Sequence, residues 1–76
     1  MFLFIQESND SINCDKVLSI VGQTPDDKDT PFKVTINFED GSDLWFKTMD
    51  RDRVKNLTRE INANILEVRN IKNRPT

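Results

Sequence analysis

From Phe32 to Glu39 apolar and polar residues alternate strictly. Phe32, Val34, Ile36 and Phe38 fall on one face, and Lys33, Thr35, Asn37 and Glu39 on the other. Asp40-Gly41 follows, a pair that adopts positive φ at little steric cost, and Leu44, Trp45 and Phe46 come next. This is a β-hairpin with strands at about 32–39 and 43–49. A slip of one residue would turn the whole apolar face into water, so the register is strongly specified. The rest of the chain has to cover that face.

Leu44 and Phe46 point to the covered side, which leaves Trp45 on the other. The chain has 76 residues and a single tryptophan, so its core is small and its largest apolar side chain is expected outside it. That placement is the feature most suggestive of function.

Two further short strands are predicted upstream. Residues 2–7 (FLFIQE) are aromatic and aliphatic and are followed by the turn formers Ser8-Asn9-Asp10-Ser11. Residues 12–21 then read as one bent strand or two short ones, interrupted at Asp15-Lys16. Gln23–Pro31 contains two prolines and three aspartates and no apolar residue, so it is a solvated loop.

From Asp50 the period changes. Val54, Leu57, Ile61, Ile65 and Val68 recur at steps of three and four and gather on one face of a helix at about 51–70. Asp50 is suited to cap its start, and Asp52 lies where the helix dipole favours an acid. Asn70 or Asn73 can end it, Pro75 stops continuation, and residues 71–76 read as a flexible tail. The expected architecture is a single α+β domain over 1–76. It is a four-stranded antiparallel β-meander of two hairpins, with one C-terminal amphipathic helix packed on one face (β-β-β-β-α). One helix covers one face of a sheet only. The other face would hold Trp45 together with one apolar pair of the first strand, either Phe2/Phe4 or Leu3/Ile5.

The inventory of reactive side chains is thin. There is no histidine, no tyrosine and one cysteine, so Ser-His-Asp, Cys-His and zinc constellations have no material. The two glycines lie in separate turns, which removes a glycine-rich phosphate loop. Asp26, Asp27 and Asp29 lack the spacing of a calcium loop and read as a self-repelling surface segment. Cys14, between apolar neighbours, reads as a small buried hydrophobe. A lone cysteine and the lack of a signal peptide or spanning segment point to the cytoplasm. No enzymatic activity, cofactor, metal or membrane association is expected.

The net charge of −2 conceals an asymmetry: residues 1–49 hold nine acids and four bases, residues 50–76 seven bases and four acids. On the helix, Arg51, Lys55, Arg59 and Arg69 fall along one flank with Leu66, and Asp52, Glu60 and Glu67 lie further round. The resulting expectation is a non-catalytic regulatory module that occludes or bridges a larger protein, as a phage or mobile-element inhibitor of a host protein would. It would use Trp45, Leu3, Ile5 and Leu66 as its interface and form a homodimer. The alternatives are a nucleic-acid or nucleotide-binding regulator using Arg51, Lys55, Arg59 and Arg69, and a ligand-sequestering homo-oligomer.

Overall fold

The computed structural model describes residues 1–23 and 25–72, apart from the side chains of Ile71 and Lys72. In chain order the elements are β1 (Phe2–Ile5), β2 (Asp10–Asn13), a 3-10 turn (Cys14–Lys16), β3 (Val17–Gln23), β4 (Phe32–Phe38), β5 (Asp43–Thr48) and α1 (Arg51–Lys72). The strands form two antiparallel sheets, β1-β2 and β3-β4-β5.

The β4–β5 hairpin follows the alternation in its sequence. Val34 pairs with Phe46, Thr35 with Trp45 and Ile36 with Leu44, and Gly41 sits in the turn at φ 89°. The Phe38 amide donates to the Ser42 carbonyl at 2.9 Å and closes the turn. The third strand pairs in register, with Ile20 opposite Ile36, Val21 opposite Thr35 and Gly22 opposite Val34. A β-bulge between Val17 and Ser19 lets both Val17 and Ile20 face inward.

A continuous four-stranded meander is not what forms. The apolar run at 12–21 divides into β2 and β3, which belong to different sheets. One local and one distant hydrogen bond hold the break. Asn13 Oδ1 accepts the Asp15 amide at 3.1 Å and caps the 3-10 turn, while the Cys14 amide donates to the Met1 carbonyl at 2.8 Å. The chain therefore leaves β2 through a tight bend before β3 begins.

The β1–β2 hairpin serves as part of the cover over the inner face. Leu3 pairs with Ile12, and Ile5 and Ile12 enter one core with Val17, Ile20, Val34, Ile36 and Phe46 from the larger sheet. The helix contributes Val54, Leu57, Ile61 and Ile65. It lies chiefly over β3, where Gly22 permits the closest approach: a Cβ there would stand 2.8 Å from Val54 Cγ1.

Asp50 caps the helix, its Oδ1 accepting the amides of Asp52 at 3.0 Å and Arg53 at 3.3 Å. Ile71 and Lys72, assigned to a flexible tail by sequence, are the last residues of α1. Asn73 and Pro75 lie outside the described residues.

Two long-range polar links join the first hairpin region to the helix. Arg53 donates to both carboxylate oxygens of Glu7, at 2.9 and 3.1 Å, and Asn64 Nδ2 donates to Asp15 Oδ1 at 3.2 Å. Both anchor the hairpin on the flank of α1 away from Lys55 and Arg59.

Candidate functional site

The outer face of the larger sheet is open. Its middle row is Val21, Thr35 and Trp45, one residue from each strand. Trp45 is 53% exposed and Val21 48%. Pairing places Gln23, Lys33 and Lys47 on one side of this row, toward one end of the sheet, and Ser19, Asn37 and Asp43 on the other. The Lys33 ammonium sits 4.9 Å from the centre of the Trp45 ring, which braces the indole by a cation–π contact. At the opposite end Asn37 Nδ2 donates to Ser19 Oγ at 3.1 Å. The face thus carries an aromatic anchor with a cationic end and an end containing Asp43.

The first-strand residues do not join this face. Ile5, expected at an interface, is completely buried, and Leu3 is half-buried against the core. Both apolar pairs of strand 1 satisfy the same period, and the inner pair won because Ile12 stands across from Leu3 in the hairpin. Phe2 and Phe4 take the solvent side of the hairpin, at 76% and 50% exposure. Sequence left these two phenylalanines unresolved, and they form a second apolar patch separate from Trp45.

Leu66 is exposed, as are Lys55, Arg59, Asn62 and Arg69 on the same flank of α1. Arg51 is set apart from them: its guanidinium stacks over the Phe32 ring at 5.7 Å. Leu66 and Trp45 belong to different surfaces, since the helix covers the inner face of the sheet and Trp45 the outer.

A depression of about 720 Å³ lies away from Trp45, where β2 meets the β4–β5 turn. Ile12, Phe38 and Leu44 line it, and Asp10, Asp40 and Asp43 stand among the acids around it. Asp40 has its carboxyl held below the usual range by the Ser42 hydroxyl and amide, so it is occupied in the turn. We read this depression as the seam between two sheets, and the Trp45 face as the better candidate.

Other polar groups have structural employment. Arg53 pulls the Glu7 carboxyl below its ordinary value, and Glu7 raises Arg53 in turn. The Asp15 carboxyl is lowered by the Asn64 amide and by the Met1 amino group, 3.2 Å away. Cys14 is buried, and desolvation pushes its thiol up, away from the thiolate that would react. Asp27 accepts the Asp29 amide at 2.9 Å and the Thr30 hydroxyl at 3.1 Å, holding its loop together. Among the described residues no group of three or more His, Cys, Asp or Glu is placed to hold a metal ion, and no helix is long and apolar enough to cross a membrane.

No family model, curated protein or solved structure matches the chain.

Proposed function

We propose that the protein is a non-catalytic interaction module that docks on a larger protein through the outer face of its three-stranded sheet, with Trp45 as the anchor. The observation that carries this reading is the half-exposed indole at the end of the Val21–Thr35–Trp45 row, braced by Lys33. A tryptophan side chain offers roughly 200 Å², so covering the exposed half removes about 100 Å² from water, worth about 2–3 kcal/mol. That is the scale of an interface hot spot. Lys33 and Lys47 beside the ring favour a partner with an acidic rim, which would also speed encounter. Such a module acts by occluding the partner or by bridging it to something else.

A second copy of the chain fits the same face in one orientation. A two-fold axis along the Val21–Thr35–Trp45 row would lay Trp45 on its symmetry mate and set Lys47 opposite Asp43, and Lys33 opposite Asn37, of the other copy. The complementary ends of the face favour this arrangement as the second reading.

The test is affinity capture from producing cells with the wild type and Trp45→Ala, together with the solution mass of both by light scattering. The reading predicts loss of the captured protein, or of the dimer, in Trp45→Ala at unchanged circular dichroism. Equal recovery and equal mass for the two proteins would overturn it.

A further inference from the structure

The edge of the same sheet farthest from Trp45 has features that the Trp45 reading does not use. Among the described strands, β3 is hydrogen-bonded to β4 alone, so one long side of Val17–Gln23 presents unpaired amides and carbonyls. Edge strands are ordinarily blunted by charge or proline, yet VLSIVGQ contains neither, in a chain whose residues are 32% charged. The opposite edge, β5, is treated differently. It carries Asp43 and Lys47, and Asp10–Asn13 of the first hairpin stand across the seam from its start. Leu18 and Val21 of β3 are 54% and 48% exposed.

The helix runs antiparallel to this edge. Its early residues Val54 and Thr58 meet Gly22 near the end of β3, and Ile65, Val68 and Arg69 share a small hollow with Val17, Leu18, Asp15 and Glu39 at its start. Arg53 and Asn64 turn toward the first hairpin, so the opposite flank of α1, bearing Lys55, Arg59 and Arg69, runs along the free edge of β3. A line of cations beside an uncharged strand edge is complementary to an extended segment that carries its own acids.

We propose that the free edge of β3 receives an extended acidic peptide segment of a partner protein as an added strand, with Lys55 and Arg59 meeting its carboxylates. Main-chain hydrogen bonds supply the generic affinity of such strand addition, and side chains supply the selectivity. The charge pattern also decides between occupants. Two copies paired edge to edge through β3 would bring their Lys55 and Arg59 flanks together, and like charges across a contact are unfavourable. An acidic strand meets no such penalty.

The test uses the whole chain and fluorescent synthetic peptides: one alternating glutamate with valine and threonine, its lysine counterpart, and the acidic peptide N-methylated at alternate residues in each of the two frames. Binding is read by anisotropy, and the β3 amides by hydrogen exchange. The acidic peptide should bind at least about tenfold more tightly than the lysine peptide, and Lys55→Glu/Arg59→Glu should invert that order. One N-methylated frame should lose binding and the other keep it, because only alternate amides face the edge. Added acidic peptide should protect the β3 edge amides, and Trp45→Ala should leave its affinity within about twofold, since distant sites act independently. The proposal is overturned by equal affinity for the two charges, by equal affinity for the two frames, or by no binding up to about 1 mM. Tighter binding of oligothymidylate than of the acidic peptide, or concentration-dependent protection of β3 without peptide, would overturn it as well.

Discussion

Replacing Gly22 by alanine isolates the contact on which the helix–sheet packing turns. Gly22 has no positive φ to excuse it, so backbone freedom is not why glycine stands there. Alanine in a strand is intrinsically favoured over glycine by about 0.5–1 kcal/mol. Against this gain, the new methyl would lie 2.8 Å from Val54 Cγ1, whereas carbon atoms settle at about 3.5–4.0 Å. Val54 is buried and β-branched, with one strongly preferred rotamer in a helix, so α1 has to lift from β3. Overpacking of this kind costs about 1–3 kcal/mol. The net loss should be about 0.5–2 kcal/mol, a fall in melting temperature on the order of 4–15 °C for a domain this small.

A double-mutant cycle sharpens the expectation. Val54→Ala alone should cost about 2 kcal/mol through the cavity it leaves. With Gly22→Ala the added methyl occupies part of that space, so the double mutant should be more stable than the sum of the singles by about 1 kcal/mol. Urea unfolding followed by circular dichroism at helical wavelengths gives all three values. Gly22→Ala as stable as the wild type, or strict additivity with Val54→Ala, would refute the packing described for α1 on β3.

Three other perturbations address separate parts of the fold. Glu7 has its carboxyl lowered by Arg53 from an ordinary 4.5, so its contribution is complete above that pH and disappears as pH falls through the lower folded value. Glu7→Gln should therefore cost about 0.5–1 kcal/mol at pH 7 and progressively less as the pH is lowered below 4.5, measured by urea titration across that range. Thr58 Oγ1 is buried with no hydrogen-bond partner, so Thr58→Val should be neutral or stabilising by up to about 1 kcal/mol in the same assay. Ile61 is completely buried where α1 meets the sheet, and Ile61→Asp should abolish the cooperative thermal transition, because an unpaired buried carboxylate rivals the whole stability of so small a domain.

The parts legible in the sequence are those fixed by local period and local chemistry. Alternation from Phe32 to Phe38 with Asp40-Gly41 specifies the β4–β5 register to the residue, and with it the outward placement of Trp45. The steps from Val54 to Ile65 specify the buried stripe of α1, and Asp50 its start. What escaped depends on contacts distant in sequence. Asp15-Lys16 marks an interruption in the run from Ile12 to Val21, but not that its two halves serve different sheets, because the bend is held by the Met1 carbonyl as well as by Asn13. The pairs Phe2/Phe4 and Leu3/Ile5 are equally apolar, so period alone could not say which enters the core. The Glu7–Arg53 pair spans most of the chain and has no local signature. Gly22 read as the end of a strand, and its value lies in what it lets the helix approach. The free edge of β3 was hidden for a related reason: an edge is a property of the sheet order, which follows from where the first hairpin goes.

The most direct measurement is photo-crosslinking in producing cells, with a benzophenone side chain placed at Val21 in the Trp45 row and, as control, at Asn56 on the exposed acidic flank of α1. The account predicts a discrete adduct from Val21, with a larger protein or a second copy of the chain, that Asn56 does not give and that Trp45→Ala removes. No adduct at Val21, or the same adducts from both positions, would contradict it.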